Sequence, residues 1–254
     1  MSVKVTVRFY AELNFFLPAE KRKQDIAVDV SQGTTAKKLI EDLGIPHTEV
    51  DLVLADGCSV SFSYRVRQAD RISVYPVFET FDVQTVSRVR PRPLRRTRFV
   101  LDVHLGRLAV TLRMLGFDTL YSTSCGDEEL ARIAESENRI LLARDGQLLK
   151  RNAVSHGYYV SSRQSMGQVG EVLKRFQLES SIHPFSRCIK CNAAFEPVSI
   201  DLVRGKVPPI VHENYRQFWQ CPVCKRVYWH GSHWQQMQKR LNALIDRSPG
   251  GAIF

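Results

Sequence analysis

Two Cys-X-X-Cys pairs constrain this chain more than any other feature of its sequence. Cys188 and Cys191 form the first pair, in "CIKC", and Cys221 and Cys224 form the second, in "CPVC". Each pair can clamp one face of a tetrahedral ion, so two pairs complete a closed Cys₄ site with no open position for chemistry. A redox disulfide or an iron–sulfur centre is the alternative, although both usually show a different spacing or context. We predict a structural Zn²⁺.

The rest of the composition favours a metal site over a disulfide framework. The chain has six cysteines, but its N-terminus alternates between apolar and polar residues and lacks the apolar core of an export signal. No stretch approaches the roughly 18 to 20 consecutive apolar residues that span a bilayer. We therefore expect a soluble, cytoplasmic protein without a membrane span. Cys58 and Cys125 have no partner motif and are interpreted as ordinary thiols. A length of 254 residues favours two or three modules.

The N-terminal segment has the outline of a small α+β domain. "VKVTVRFYAEL" and "DIAVDV" alternate as strands do, and "GTTAKKLIEDLGI" predicts a helix with Thr34 or Thr35 as its N-cap and Gly44 as its stop. An Asp-Gly turn at Asp56 and Gly57 and a last strand, "DRISVYPVF", complete a ββαββ order.

These stretches, with "VDLVLADGCSV", resemble the ubiquitin-like sulfur-carrier proteins of thiamine and molybdopterin synthesis. The resemblance implies a β-grasp fold over residues 1–82. The carriers act through a free C-terminal Gly-Gly, whereas this chain continues after "YPVFETFDV". We therefore expect a binding or scaffolding role that engages a protein partner. Gly250 and Gly251 are followed by three residues and belong to a tail, 241–254.

The second segment alternates strands and helices, which predicts a mostly parallel sheet. Asp102 follows the strand "RFVL", Asp145 follows "RILLAR", and Asp127 begins the helix "DEELARIAESENR". Ligands of such sheets bind beyond the carboxyl ends of the strands, so the three carboxylates should converge. Mg²⁺ or Mn²⁺ would relieve their repulsion and suits phosphodiester hydrolysis. Alternatively, each Asp is only a helix N-cap or compensates a helix dipole.

"FVLDVHLGRLAVTLRMLGFDTLY" and "DEELARIAESENRILLARD" resemble the PIN-type RNase domain named after the C-terminus of the mut-seven exonuclease. The match runs from about Arg98 to Trp234 and includes the cysteines. It implies a PIN-like domain (98–180) and a zinc ribbon (181–240), with Asp102, Asp127 and Asp145 holding the catalytic metal. Two features depart from the family. Ala143 stands where Thr or Ser is usual, and no fourth acid follows the late strand, which offers Ser161 and Ser162.

Several neighbours are further candidates for the acidic site. Glu128 is an alternative to Asp127, and Arg113 and Arg144 are cations that could stabilise the reacting phosphate. For Arg113, an ion pair that fixes its helix is an equal alternative. His104 is interpreted as a polar residue at a helix N-terminus, and Asp118 as a turn residue at the opposite edge of the sheet.

The charge distribution points to a polyanion. The formal net charge is +10, and the Arg- and Pro-rich stretch "SRVRPRPLRRTR" runs through the linker 83–97 to Arg98. A solvated linker is the simpler alternative. The predicted nucleic-acid contacts are Arg92, Arg95, Arg96, Arg98 and Arg107.

Aromatics around the second cysteine pair, in "KRVYWHGSHW", suit stacking on unpaired bases and suit packing of a small module equally well. The leading hypothesis is a metal-dependent ribonuclease that acts on RNA, most simply single-stranded RNA. The rival is a non-catalytic RNA-binding or adaptor protein that retains the PIN scaffold.

Overall fold

The alternating N-terminal pattern forms a mixed five-stranded sheet in the computed structural model, which describes residues 2–76, 86–89, 97–232, 234–236 and 238–239. The strands lie in the order β2-β1-β5-β3-β4, with β1 and β5 parallel at the centre. The elements of this part are β1 (Ser2–Phe9), β2 (Ile26–Ser31), α1 (Ala36–Asp42), β3 (Val50–Ala55), β4 (Cys58–Ser59) and β5 (Arg71–Pro76).

Local chemistry explains the boundaries of these elements. Val5, Val7 and Phe9 of β1 point inward and are buried, as a period-two pattern requires. The Thr35 side chain accepts a hydrogen bond from the backbone N–H of Lys38 at 3.2 Å, so the predicted N-cap of α1 is confirmed. Asp56 and Gly57 both have positive φ, 47° and 82°, which is the geometry of the predicted tight turn between β3 and β4.

The next segment contains the predicted parallel sheet. β6, β8 and β9 pair parallel, and Leu101 of β6 lies opposite Leu142 of β8. The elements are β6 (Arg98–Leu101), α2 (Gly106–Met114), β7 (Asp118–Tyr121), α3 (Asp127–Ser136), β8 (Ile140–Ala143), α4 (Gly146–Leu149), β9 (Gly157–Tyr159) and α5 (Ser165–Arg175).

Two expectations for this segment were wrong in detail. Asp118 begins β7 instead of lying in a turn, because its carboxylate is engaged by Asn192 and can occupy a strand end. The helix expected over "GQLLKRNAV" ends after Leu149, because the chain then turns so that Val154 is fully buried.

A small antiparallel sheet and two short helices follow. The strands lie in the order β10-β11-β12 and share a core of Val203, Val207 and Phe218. The elements are β10 (Glu196–Val198), α6 (Ile200–Val203), α7 (Pro209–Asn214), β11 (Phe218–Gln220) and β12 (Val227–Tyr228). Within "WQQMQKRLNALI", the described residues 234–236 and 238–239 are helical as predicted. The rest of that stretch, the tail 241–254 and most of the linker 83–97 fall outside the described residues.

The elements divide into two compact units. Met1–His104 and Ser122–Val160 form the first unit, in which α3 packs on β6 and β8. Leu105–Tyr121 and Ser161–Phe254 form the second, in which α2 packs on β7 and α5. Within the described part of the chain, no helix has the length and apolar character needed to cross a membrane.

Candidate functional site

Asp102 is a buried carboxylate at the carboxyl end of β6. Only 4% of it is exposed. Its Oδ1 accepts a hydrogen bond from the backbone N–H of His104 at 2.7 Å, and its Oδ2 accepts one from the backbone N–H of Arg144 at 2.5 Å. Burial of a carboxylate is costly without such partners. The side chain therefore joins the end of β6 to the turn that follows β8.

The other two acids lie at helix N-termini and are exposed. Asp145 is the N-cap of α4, and its Oδ1 accepts a hydrogen bond from the backbone N–H of Gln147 at 2.8 Å. Asp127 and Glu128 begin α3 after the N-cap Gly126. Both the capping interpretation and the metal-ligand interpretation place these acids at helix starts.

The four cysteines form the one group of three or more His, Cys, Asp or Glu side chains, among described residues, that is placed to hold a metal ion. Asp102, Asp127 and Asp145 do not form such a group as they are placed. The four Sγ atoms lie within 4.8 Å of one another. Cys188 and Cys224 are 3.6 Å apart and Cys191 and Cys221 are 3.2 Å apart, close to the roughly 3.7 Å that tetrahedral Zn–S bonds impose.

The two cysteine pairs adopt matching turns. In the first, the N–H of Cys188 bonds to the carbonyl of Ala193, and the N–H of Asn192 bonds back to the carbonyl of Cys188. In the second, Cys221 bonds to Arg226 and Lys225 bonds back to Cys221 in the same way. The residue after each pair has positive φ, 66° at Asn192 and 59° at Lys225. This repeated geometry aims both pairs of thiols at one point, so the cluster fits a tetrahedral metal such as zinc.

The surroundings of the cysteines shift the pKa values of their thiols in opposite directions. Burial alone would raise the pKa of the Cys188 thiol, but hydrogen bonds from the Tyr228 hydroxyl and the backbone amides of Cys191 and Lys190 lower it to about 6. The Tyr228 hydroxyl lies 3.1 Å from Cys188 Sγ. Burial and the contact with Cys221 raise the pKa of Cys191 to about 12.

Arg113 braces the first cysteine turn. It is 5% exposed, and its Nη1 donates to the carbonyls of Ile189 and Lys190, the residues between Cys188 and Cys191, at 3.0 and 2.9 Å. Its Nε donates to the carbonyl of Thr119 at 2.8 Å. Burial lowers the pKa of Arg113, and the nearby Cys188, Cys191 and Asp118 oppose that shift. These contacts go to carbonyl oxygens and join α2 to the first cysteine turn.

Comparison with known protein families identifies the family of the larger, C-terminal part of the chain. Residues 97–241 match the family described as "Mut7-C RNAse domain". The chain belongs to this family. Residues 2–82 match the family described as "Mut7-C ubiquitin". No curated protein matches the chain.

One solved structure also resembles part of the chain. It is described as "Putative molybdopterin converting factor, subunit 1" from Pyrococcus furiosus, at 20% identity and a TM-score of 0.24. The match covers 30% of this chain and 99% of that one.

The Mut7-C ubiquitin-like domain contacts β9 and the residues just before it, which belong to the same compact unit. The Glu49 carboxylate accepts a hydrogen bond from the backbone N–H of Tyr159 in β9 at 2.6 Å. His47 is buried, with Nδ1 2.7 Å from Glu41 Oε1 and Nε2 2.9 Å from the carbonyl of Val154. Sequence reasoning missed these residues, because an exposed-looking "HTE" in a loop carries no sign of a distant partner.

The remaining predicted site residues are at least partly exposed where the structure describes them. Arg107 is exposed and Arg98 is half-buried, with its guanidinium bonded to the carbonyl of Glu137. His104 is exposed next to Asp102. Arg144 contributes its backbone N–H to Asp102. Three predicted contacts lie outside the described residues: Arg92, Arg95 and Arg96.

Proposed function

We propose that this protein is a metal-dependent ribonuclease that hydrolyses RNA phosphodiester bonds at the carboxyl ends of β6 and β8. Membership of the Mut7-C RNAse domain family supports a nuclease-like domain. The observation that carries the proposal is Asp102, a carboxylate buried at a parallel-sheet edge and bonded to the turn that presents Asp145. Ligands of open α/β sheets bind at this edge.

The proposed roles follow from donor chemistry. Asp102, Asp127 and Asp145, with Glu128 as the substitute for Asp127, offer the hard oxygen atoms that Mg²⁺ and Mn²⁺ prefer. Such an ion, when bound, activates water and neutralises phosphate charge. The three acids as placed do not form a group for one ion. Arg144 would supply positive charge near the phosphate, whereas the Arg113 guanidinium is taken up by three carbonyl groups and is no longer a candidate for this role.

RNA binding would rest on basic residues outside the acidic site. A net charge of +10 favours a polyanionic partner, and Arg98 and Arg107 flank Asp102 in sequence. Arg92, Arg95 and Arg96 extend the same basic stretch. We propose single-stranded RNA as the substrate and the cytoplasm as the location. We expect the ubiquitin-like domain to bind a protein partner.

The test is cleavage of labelled single-stranded RNA with Mn²⁺ by the full chain. Asp145→Asn is the decisive variant, because Asn caps a helix as well as Asp and removes only the charge. Asp42→Asn, at an exposed ion pair with Lys38, is the matched control. We expect Asp145→Asn to lose at least about 100-fold in cleavage, in line with typical losses of a catalytic group, and Asp42→Asn to cleave normally. Equal cleavage by both variants would contradict the assignment.

A non-catalytic RNA-binding protein is the second candidate. Both Asp102 oxygens already accept backbone hydrogen bonds, which is the arrangement of a structural carboxylate. Ala143 stands two residues before Asp145, where the resemblance to the family leads us to expect a Thr or Ser hydroxyl. This candidate predicts that RNA binds with an affinity independent of Mn²⁺ and that Asp145→Asn changes neither affinity nor RNA integrity.

A further inference from the structure

The second compact unit contains a pocket with aromatic walls. Its volume is about 320 Å³. Ligand pockets run from about 300 to 1,000 Å³, so this one suits a single small ring system. We call it the aromatic pocket, and the lining residues that matter are Phe185, Arg187, Phe195, Tyr228, Trp229 and Trp234.

The walls of the aromatic pocket are fixed from behind. The Tyr228 ring lies 4.4 Å from the Phe195 ring, and its hydroxyl contacts Cys188 Sγ in the cysteine cluster. Trp229 packs on the small core around Val203 and Phe218. Rings held in this way lose little conformational entropy when a ligand enters, so the pocket is preorganised.

Phe185 is the centre of the aromatic group and has a strained backbone. Its φ is 62°, in a region that bulky residues rarely adopt. Its ring lies 5.1 Å from the Trp234 ring and 4.3 Å from the His230 ring. Strain of this kind persists only where the surrounding structure enforces it, and it concentrates at functional sites.

The chain segment that supplies most of the aromatic pocket has an excess of positive charge, which favours an anionic ligand. Between His183 and Ser232 the sequence has seven Lys and Arg residues against three Asp and Glu residues. Arg187 does not supply the pocket's charge, because its guanidinium bonds to the carbonyls of Gly116 and Asn192 and pairs with Asp118. Its side chain serves as part of the pocket wall.

We propose that the aromatic pocket takes one unpaired nucleobase of single-stranded RNA by stacking. The proposal rests on the proposed function, which supplies RNA as the ligand. Every base has a π face, so stacking tolerates all four bases. A base within a duplex has both faces covered, and the pocket therefore selects single strands. Tyr228, Trp229 and Trp234, which follow the second cysteine pair, would then bind a ligand in addition to packing the small module.

The experiment compares two tryptophans of the same aromatic group in the full chain. Trp234→Leu removes a wall ring, and Trp219→Leu is the matched control, since Trp219 lies 4.8 Å from Phe185 but does not line the pocket. Trp234→Phe restores an aromatic face. Metal content and circular dichroism check that each variant is folded. The probes are a short oligouridylate, a short oligoadenylate and an RNA duplex, measured by tryptophan fluorescence and by a separate binding assay.

We expect both oligonucleotides to quench tryptophan fluorescence and Trp234→Leu to weaken their binding about tenfold, within the range of one lost base stack. Trp234→Phe and Trp219→Leu should bind as the unaltered chain does, and duplex binding should be the same in all variants. Oligonucleotide binding that Trp234→Leu leaves unchanged would overturn the pocket and leave the RNA proposal standing. Quenching by the duplex equal to that by single strands would also overturn it. If the unaltered chain binds no RNA, the proposed function fails together with the pocket.

Discussion

Asp102→Asn should destabilise the protein far more than Asp145→Asn, although both change a carboxylate to an amide. At Asp102, one oxygen becomes an NH₂ group that faces a backbone N–H of His104 or Arg144. The variant loses a hydrogen bond to a charged group, about 1.5 to 3 kcal/mol, and leaves a buried donor unsatisfied. We expect a loss of about 3 kcal/mol. Asp145 is exposed and Asn is an equally good N-cap, so its change should stay within about 0.5 kcal/mol.

Urea unfolding of the three proteins, followed by circular dichroism with metal present, measures this difference. If the urea midpoint of Asp102→Asn equals that of the unaltered chain, the reasoning is refuted. That result would mean that the hydrogen bonds of the two backbone N–H groups to the carboxylate do not stabilise the fold. The result also governs how nuclease assays are interpreted. Activity lost in Asp102→Asn alone would have a folding explanation, whereas activity lost in Asp145→Asn would not.

Three further predictions concern the second unit. Lys225→Gly should stabilise the protein by up to about 1 kcal/mol in thermal unfolding, because φ of 59° suits Gly better than Lys. Gly116→Ala should cost more than about 2 kcal/mol in urea unfolding, since its φ is 96° and a Cβ would lie 2.2 Å from the carbonyl of His183. Arg113→Met should cost about 3 kcal/mol and speed metal release to a chelator, because three carbonyls lose their donor; an unchanged release rate would contradict the bracing role.

The sequence predicted the elements well where one local rule decides the outcome. Period-two burial gave β1, a Thr N-cap gave α1, and the Asp-Gly turn adopts the expected positive φ. The cysteine spacing predicted the cluster because the motif itself sets the turn geometry.

The same rules could not predict which distant groups the side chains at element ends would bind. Asp102 was expected at the sheet edge and lies there, but its engagement by two backbone donors depends on how the turns after β6 and β8 meet in space. Arg113 stands on the buried face of α2 between Leu112 and Met114, and its sequence neighbours carry no sign of the cysteine turn whose carbonyls it binds. Contacts of this kind join residues that are distant in the chain, so local periodicity does not contain them.

The ubiquitin-like domain shows what such a long-range contact does for a sheet. β9 pairs with β8 on one side, and the N–H of Tyr159 bonds to the Glu49 carboxylate. Unpaired strand edges favour aggregation, and proteins commonly cover or charge them. Phe16 adds a ring contact with Tyr159 at 5.3 Å, and Lys150 donates to the carbonyl of Glu41. The β-grasp domain, which lacks the free Gly-Gly end of a sulfur carrier, therefore serves the parallel sheet as a fixed cover in addition to any partner it binds.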